Sequence, residues 1–320
     1  MAKSIVLAAG MGGAVLVAAA VSGQWWIHSQ VEQKVNAAIS KLEQNENIDK
    51  VSYEDLDVAP FGREIELVGI SFETKDSADP VKFESMRIYD YDINNELPHY
   101  MNVAIEGLLL PDSMVQELAA DDSAFADYLK SVGVAQTLPV QASFSYNYQE
   151  EENQTQTAQL AIALPEVLGY EADWITKGVP LELLYADPAD QTAQMQAMMA
   201  MTSGYYPKIA MSLTDLGGVP VFMQELADEQ QISVDELKTQ WQQLMQMQAS
   251  VVLPPGLQGP ANDAIEQVGV FLSGGKSLQL SVEPEFEGSF EQLSMPVMQA
   301  FMSGDFQTVI DLLKLQVKAS

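Results

Sequence analysis

Apolar residues recur at every second position through much of residues 48–164, and this alternation restricts the fold more than any other feature. Residues 51–58 (VSYEDLDV) and 64–72 (EIELVGISF) both show it, parted by the turn-forming Pro60-Phe61-Gly62. Two more runs, 81–93 (VKFESMRIYDYDI) and 101–110 (MNVAIEGLLL), are separated by a break around Asn94, Asn95 and Pro98. A third pair, 140–148 (VQASFSYNY) and 157–164 (TAQLAIAL), flanks a polar turn containing Glu150, Glu151 and Glu152. Successive side chains of a strand point to opposite faces, so a period of two puts one face in a core and the other in water. Turn-linked strands of this kind predict an antiparallel sheet with one face buried.

Helical spacing takes over outside these runs. Val31, Val35, Ile39 and Leu42 predict a helix that ends near Asn45-Glu46-Asn47 and lies on the body of the domain. Residues 112–131 read as a helix capped at Asp112. Residues 191–202 (QTAQMQAMMAMT) are helix-prone, Met-rich and uncharged, and a strand is expected at 207–213. A long helical region over 219–248 contains the capping-box pair Ser233 and Glu236. Pro254-Pro255-Gly256 interrupts it before helix resumes at 260–273. A strand at 277–283 and two short helices at 290–303 and 305–317 close the chain.

Ahead of these elements, residues 5–21 carry no charge, and Ile5 to Ile27 exceeds the roughly 20 residues that cross a bilayer as helix. Trp25 and Trp26 would then sit at the far water interface, and Lys3 would hold the leading end in the cytoplasm. This predicts an uncleaved signal anchor, with a cleaved signal peptide near Ala18–Ala20 or Ser22-Gly23 as the competing reading. The expected fold class is therefore α+β: one amino-terminal transmembrane helix, then an antiparallel-sheet ectodomain with a helical C-terminal half. Its expected parts are the anchor at 1–27, a juxtamembrane helix at 28–48, a β-rich periplasmic region at 49–190 and a helix-rich region at 191–320 packed on it. The expected location is the inner membrane, single-pass, with the C-terminal domain in the periplasm.

Charge and composition exclude whole classes of chemistry. The chain holds 45 acidic and 15 basic residues in 320, a formal charge of −30. Such a surface repels nucleic acid and anionic headgroups, and in salty surroundings it serves solubility. No cysteine is present, which removes thiolate metal sites and cysteine nucleophiles, and only His28 and His99 remain for histidine chemistry. Gly274-Gly275-Lys276-Ser277 looks like the end of a phosphate-binding loop, yet Val270 stands where its first glycine belongs, so a tight turn is expected. Asp90, Asp92 and Asn94 have calcium-loop spacing, but Asn95 and Met101 replace the turn glycine and the bidentate glutamate. Met195, Met198, Met199 and Met201 are better read as core or groove than as a copper site. No catalytic motif is found, and neither a metal nor a cofactor is expected.

Residues 51–72, 101–111 (MNVAIEGLLLP), 277–284 (SLQLSVEP) and the run Ser212-Leu213-Thr214-Asp215-Leu216-Gly217 resemble segments of AsmA-like and YdgA-like envelope proteins. The resemblance implies an inner-membrane-anchored periplasmic protein, and in the larger AsmA-like proteins a hydrophobic β-groove linked with lipid transport. The expected function is a non-enzymatic envelope protein that binds or shields a lipid-like apolar ligand in a cleft lined by Met198, Met199, Phe271 and Leu272. The alternative is a structural or interaction subunit of an inner-membrane protein complex, held through the glycine-bearing helix and residues 28–45.

Overall fold

The computed structural model describes residues 28–43, 48–59, 64–74, 80–92, 95, 97–109, 137–152, 154–184, 191–284 and 288–320. The chain divides into two compact units. Unit 1 is Met1–Asp121, Val134–Ile162 and Val179–Ala200; unit 2 is Asp122–Gly133, Ala163–Gly178 and Met201–Ser320.

Unit 1 is built on the alternating runs. Its strands are β1 (Ile48–Ser52), β2 (Asp55–Val58), β3 (Glu64–Thr74), β4 (Val81–Tyr89), β5 (Tyr100–Leu109), β6 (Thr137–Gln149) and β7 (Thr155–Leu164). They are hydrogen-bonded in the order β1-β3-β4-β5-β6-β7, with β2 also on β3. Register aligns Ile65, Ile88, Val103 and Phe144 across four strands, and Leu67, Met86, Ile105 and Ala142 beside them. Helix α1 (His28–Leu42) buries Val31, Val35 and Ile39, as its spacing predicts, and packs on β1 and β2. The Val51 N–H donates to Glu43 Oε1 just beyond the helix (3.0 Å).

Strict alternation fails along one row of this sheet. Buried positions run Ile65, Leu67 and then Ile70, Phe72 on β3; they run Ile88, Met86 and then Phe83, Val81 on β4. The parity changes where Gly69 and Gly107 adopt positive φ (63° and 66°). On β3 and β5 a left-handed glycine turns the pleat by one position, and β4 between them changes parity at the same row, beside Glu84, so both halves of each strand still face the core. We expect Gly107→Ala to destabilise by about 1–2 kcal/mol or more, because an L-residue resists this conformation. Its Cβ would also collide with the Glu84 carboxylate. Urea denaturation checks this, and an unchanged midpoint would refute the account of the parity change.

The loop after β4 is closed by a buried carboxylate. Asp92 Oδ2 accepts from Asn95 Nδ2 (2.6 Å) and from the His99 N–H (3.1 Å), while the Tyr146 hydroxyl donates to the Pro98 carbonyl (2.7 Å). Asp90, the first residue of the calcium-like spacing, accepts from Asn102 Nδ2 instead (3.1 Å). Burial of neighbouring Tyr91 pushes its phenol up to about 12. Between pH 10 and 12 the unfolded chain would lose that proton while the folded chain keeps it, so stability falls as pH rises. The expected loss by pH 12 is about 2–3 kcal/mol. Denaturant unfolding at pH 9 and pH 12 measures it, and Tyr91→Phe is expected to flatten the decline; an equally steep decline in that variant would refute the assignment.

Unit 2 carries β8 (Leu168–Lys177), β9 (Tyr205–Asp215), β10 (Ser277–Val282) and β11 (Gln316–Ala319), antiparallel in the order β8-β9-β10-β11. Helix α2 (Leu181–Leu184) is a single turn in unit 1, and α3 (Gln191–Ser203) crosses the division. Three helices connect β9 to β10: α4 (Gly218–Gln230), α5 (Val234–Val252) and α6 (Pro255–Leu272). Two more, α7 (Phe290–Ser303) and α8 (Phe306–Leu313), lead to β11. The region read as one helix over 219–248 breaks at Gln231, whose backbone is left-handed, and restarts at the Ser233–Glu236 capping box. There the Ser233 N–H donates to Glu236 Oε2 (2.9 Å) and the Glu236 N–H to Ser233 Oγ (3.2 Å). The Ser233 N–H and the Ser233 hydroxyl (2.9 Å) both donate to the Glu236 carboxylate and hold it below its ordinary range. A buried cluster of Met223, Ala227 and Leu237, with Val219, Leu226 and Leu272 against it, joins α4, α5 and α6.

The expected fold class is corrected on one central point. The described residues are sheet-dominated, with eleven antiparallel strands and eight helices, in place of an α+β chain led by a transmembrane helix. Among the described residues no helix is long and apolar enough to cross a membrane. Helices α5 and α6 approach the needed length, but Asp235, Glu236 and Lys238 with five glutamines on one, and Asp263 and Glu266 on the other, make them too polar. The expected span at 5–27, with Trp25 and Trp26, lies outside the described residues, as does the helix expected at 112–131. The signal anchor, the membrane attachment and the single-pass inner-membrane location are therefore set aside.

Candidate apolar binding surface

Among the described residues three mainly helical stretches lack any charged residue although 19 % of the chain is charged, 191–207, 239–262 and 292–304; strands β6 and β7 are charge-free as well. The three stretches map onto α3, the later part of α5 with the start of α6, and α7. In each of these helical stretches several large apolar side chains face solvent.

On α5, Leu237 is buried in the unit 2 cluster, and Trp241, Leu244, Met245, Val251 and Val252 continue on its face at helical spacing. Those five are exposed, Val251 and Val252 the most (80 % and 76 %). The core stripe thus runs on into solvent, because α5 has 19 residues and its neighbour α4 only 13. Helix α7 is apolar on both sides. It buries Leu293 and Ala300 and exposes Met295, Met298 and Met302 on the opposite side. The exposed Gln292 and Gln299 lie between these two sides.

A tight corner brings the ends of these helices together. Pro254 and Pro255 stop α5 and begin α6, and Gln258 Nε2 donates to the carbonyls of Ser250 (3.1 Å) and Leu253 (3.2 Å). At Gly256 an added Cβ would stand 3.3 Å from the Phe306 ring and 3.6 Å from the Gly304 carbonyl. This close approach sets the α5–α6 corner against the turn between α7 and α8. Phe301 and Phe306 meet edge-to-face across that turn, with centroids 5.3 Å apart. Asp305 caps α8 by accepting from the Thr308 N–H (3.2 Å) and hydroxyl (2.7 Å), which holds its carboxyl below its ordinary range. The other end of α7 is tied to β9: the Phe290 N–H donates to the Gly204 carbonyl (2.8 Å), and Tyr206 meets Phe290 edge-to-face. Burial raises the Tyr206 phenol.

The unit 2 sheet adds an apolar face of its own. Register places Ile209 beside Trp174 and Val282, and Met211 beside Ala172 and Leu280. Paired residues share a face, and Ile209, Met211 and Leu280 are exposed on it. Exposed apolar side chains grouped on one face are candidates for contact with a ligand or partner. Methionine, with three rotatable bonds, suits a partner of irregular shape.

The residues expected to line a cleft are placed differently from one another. Met198 and Met199 are exposed on α3 in unit 1. Phe271 and Leu272 end α6 in unit 2, where Phe271 is buried and Leu272 packs on the Met223–Ala227–Leu237 cluster. Trp241, Val251, Val252, Met295, Met298 and Met302 are the surface residues that sequence reasoning missed, and the missing charge around them was the signal. Among the described residues no three Asp, Glu or His side chains gather as a metal site, and we find no catalytic constellation. The Gly274–Lys276 segment is a turn between α6 and β10, with the Gly275 N–H donating to the Val270 carbonyl (3.1 Å).

A family model described as an uncharacterized protein matches residues 161–320, half of the chain. No curated protein and no solved structure matches it.

Proposed function

The chain belongs to the family of uncharacterized proteins whose model covers its second half, and we propose that it is a non-enzymatic binding protein for an uncharged, acyl-chain ligand. The ligand would lie on the apolar surface of unit 2. The observation that carries this reading is α7, apolar on both sides and uncharged from 292 to 304, with its outer methionines open to solvent. A net charge of −30 argues for a neutral ligand over a fatty-acid anion, which the whole surface repels. The resemblance of residues 51–72, 101–111, 212–217 and 277–284 to AsmA-like and YdgA-like proteins is in keeping with a lipid-like ligand, since the larger AsmA-like proteins are linked with lipid transport.

The test is Nile red, an uncharged dye that brightens in apolar surroundings, titrated into the full-length protein and then displaced. Monoolein is expected to displace it at lower concentration than oleate at low salt, and the gap is expected to narrow as salt screens the acidic surface. Absence of dye uptake would overturn the proposal. A second reading is a protein partner, favoured by the helically spaced Trp241, Leu244, Met245 and Val252 on α5, which suit a partner helix. A stoichiometric protein that co-purifies and blocks dye uptake would support that reading.

A further inference from the structure

Methionine in this protein is sorted by exposure. Among the described residues ten of thirteen methionines are exposed, and the other three, Met86, Met101 and Met223, are buried. The buried cores are otherwise mainly isoleucine, valine, leucine and phenylalanine. On α7 the exposed large apolar side chains are methionine and phenylalanine, with no exposed leucine, isoleucine or valine. Leucine would offer a similar apolar area. A thioether adds one property that leucine lacks: two-electron oxidation to a polar sulfoxide, which reductases reverse.

We propose that Met295, Met298 and Met302 on α7 are a modification site for hydroperoxides, and that their oxidation releases the ligand. Exposures of 68 %, 55 % and 80 % open all three sulfurs to a small oxidant. The spacing of three and four residues puts them on one side of the helix, away from buried Leu293 and Ala300. Sulfur attacks the distal oxygen of the peroxide, the O–O bond breaks and an S–O bond forms. Sulfur loses two electrons, the peroxide gains them, and it leaves as water or an alcohol. No group on the protein is consumed besides the thioether. Three new polar S=O groups then stand on the outer side of α7, and an acyl chain placed over them would leave them without hydrogen bonds. Met86, Met101 and Met223, closed off in the folded protein, would be spared.

The inference rests on the binding reading above, and the experiment separates the two. Full-length protein is treated with hydrogen peroxide, the oxidised methionines are located by peptide mass, and Nile red binding is measured before and after. Treatment is expected to oxidise Met295, Met298 and Met302 ahead of the three buried methionines and to weaken binding about tenfold. Methionine sulfoxide reductases should restore it. The M295L/M298L/M302L variant is compared only with itself: whatever its untreated affinity, treatment is expected to change it by less than about threefold. Treated wild type that binds as untreated protein does, or a triple variant that loses affinity equally, would overturn the inference while leaving the binding reading intact. Untreated protein that takes up no dye would overturn both.

Discussion

Phe83→Ala is expected to destabilise the protein by about 3–5 kcal/mol, a large fraction of the stability of an ordinary domain. Phe83 is 2 % exposed and sits in register between Ile70 on β3 and Leu108 on β5. Its ring meets that of Phe72 edge-to-face, with centroids 6.2 Å apart. The substitution removes the transfer free energy of the ring, opens a cavity between three strands and deletes an aromatic pair worth about 0.5–1.5 kcal/mol by itself. The site has little room to relax, because the Gly69–Glu84–Gly107 row beside it fixes the pleat. Urea unfolding followed by far-UV circular dichroism measures the loss. A value below about 1 kcal/mol would mean that this part of the sheet is packed far more loosely than described.

The second large effect falls on binding and leaves stability nearly untouched. Met298→Glu combined with Met302→Glu puts two carboxylates on the outer side of α7, where both methionines face solvent. Surface changes of this kind usually alter stability by no more than about 0.5 kcal/mol each. An acyl chain could cover the new carboxylates only by stripping their water, so Nile red and monoolein affinity is expected to fall by more than about tenfold. Phe301 is the wrong residue for this test, since its ring also braces Phe306 across the turn. Unchanged melting with lost binding is the expected pair of results. Unchanged melting with unchanged binding would remove α7 from the surface.

Much of the sheet was legible because a strand with one buried face must alternate. The runs at 64–72, 81–93 and 101–110 became β3, β4 and β5 with small changes at their ends. The parity change at Gly69 and Gly107 was not legible, since a glycine in a strand does not by itself reveal positive φ. Strand β8 did carry a signal, with Tyr170, Ala172 and Trp174 alternating against Glu171 and Asp173, and it went unread. The final helix was overextended because Lys314 ends α8 in a left-handed conformation that helical spacing does not announce. The four strand residues of β11 are too short to show a period. At the candidate surface, spacing alone could not sort Phe271, which is core, from Phe301, which is exposed: both stand in apolar helix at least four residues from the nearest charge. Tertiary packing decides that difference. Charge depletion was the better guide, since a core also excludes charge but rarely extends it over so long a stretch of surface helix.

The central proposal is that the charge-free stretches of α5 and α7 cover an acyl chain. The most direct measurement is photo-crosslinking of the full-length protein with a diazirine-bearing monoacylglycerol, followed by peptide mapping. The account predicts label concentrated in residues 239–252 and 292–303, competed away by unlabelled monoolein. Label spread evenly over exposed peptides, or gathered on the strands of unit 1 and indifferent to competitor, would contradict it.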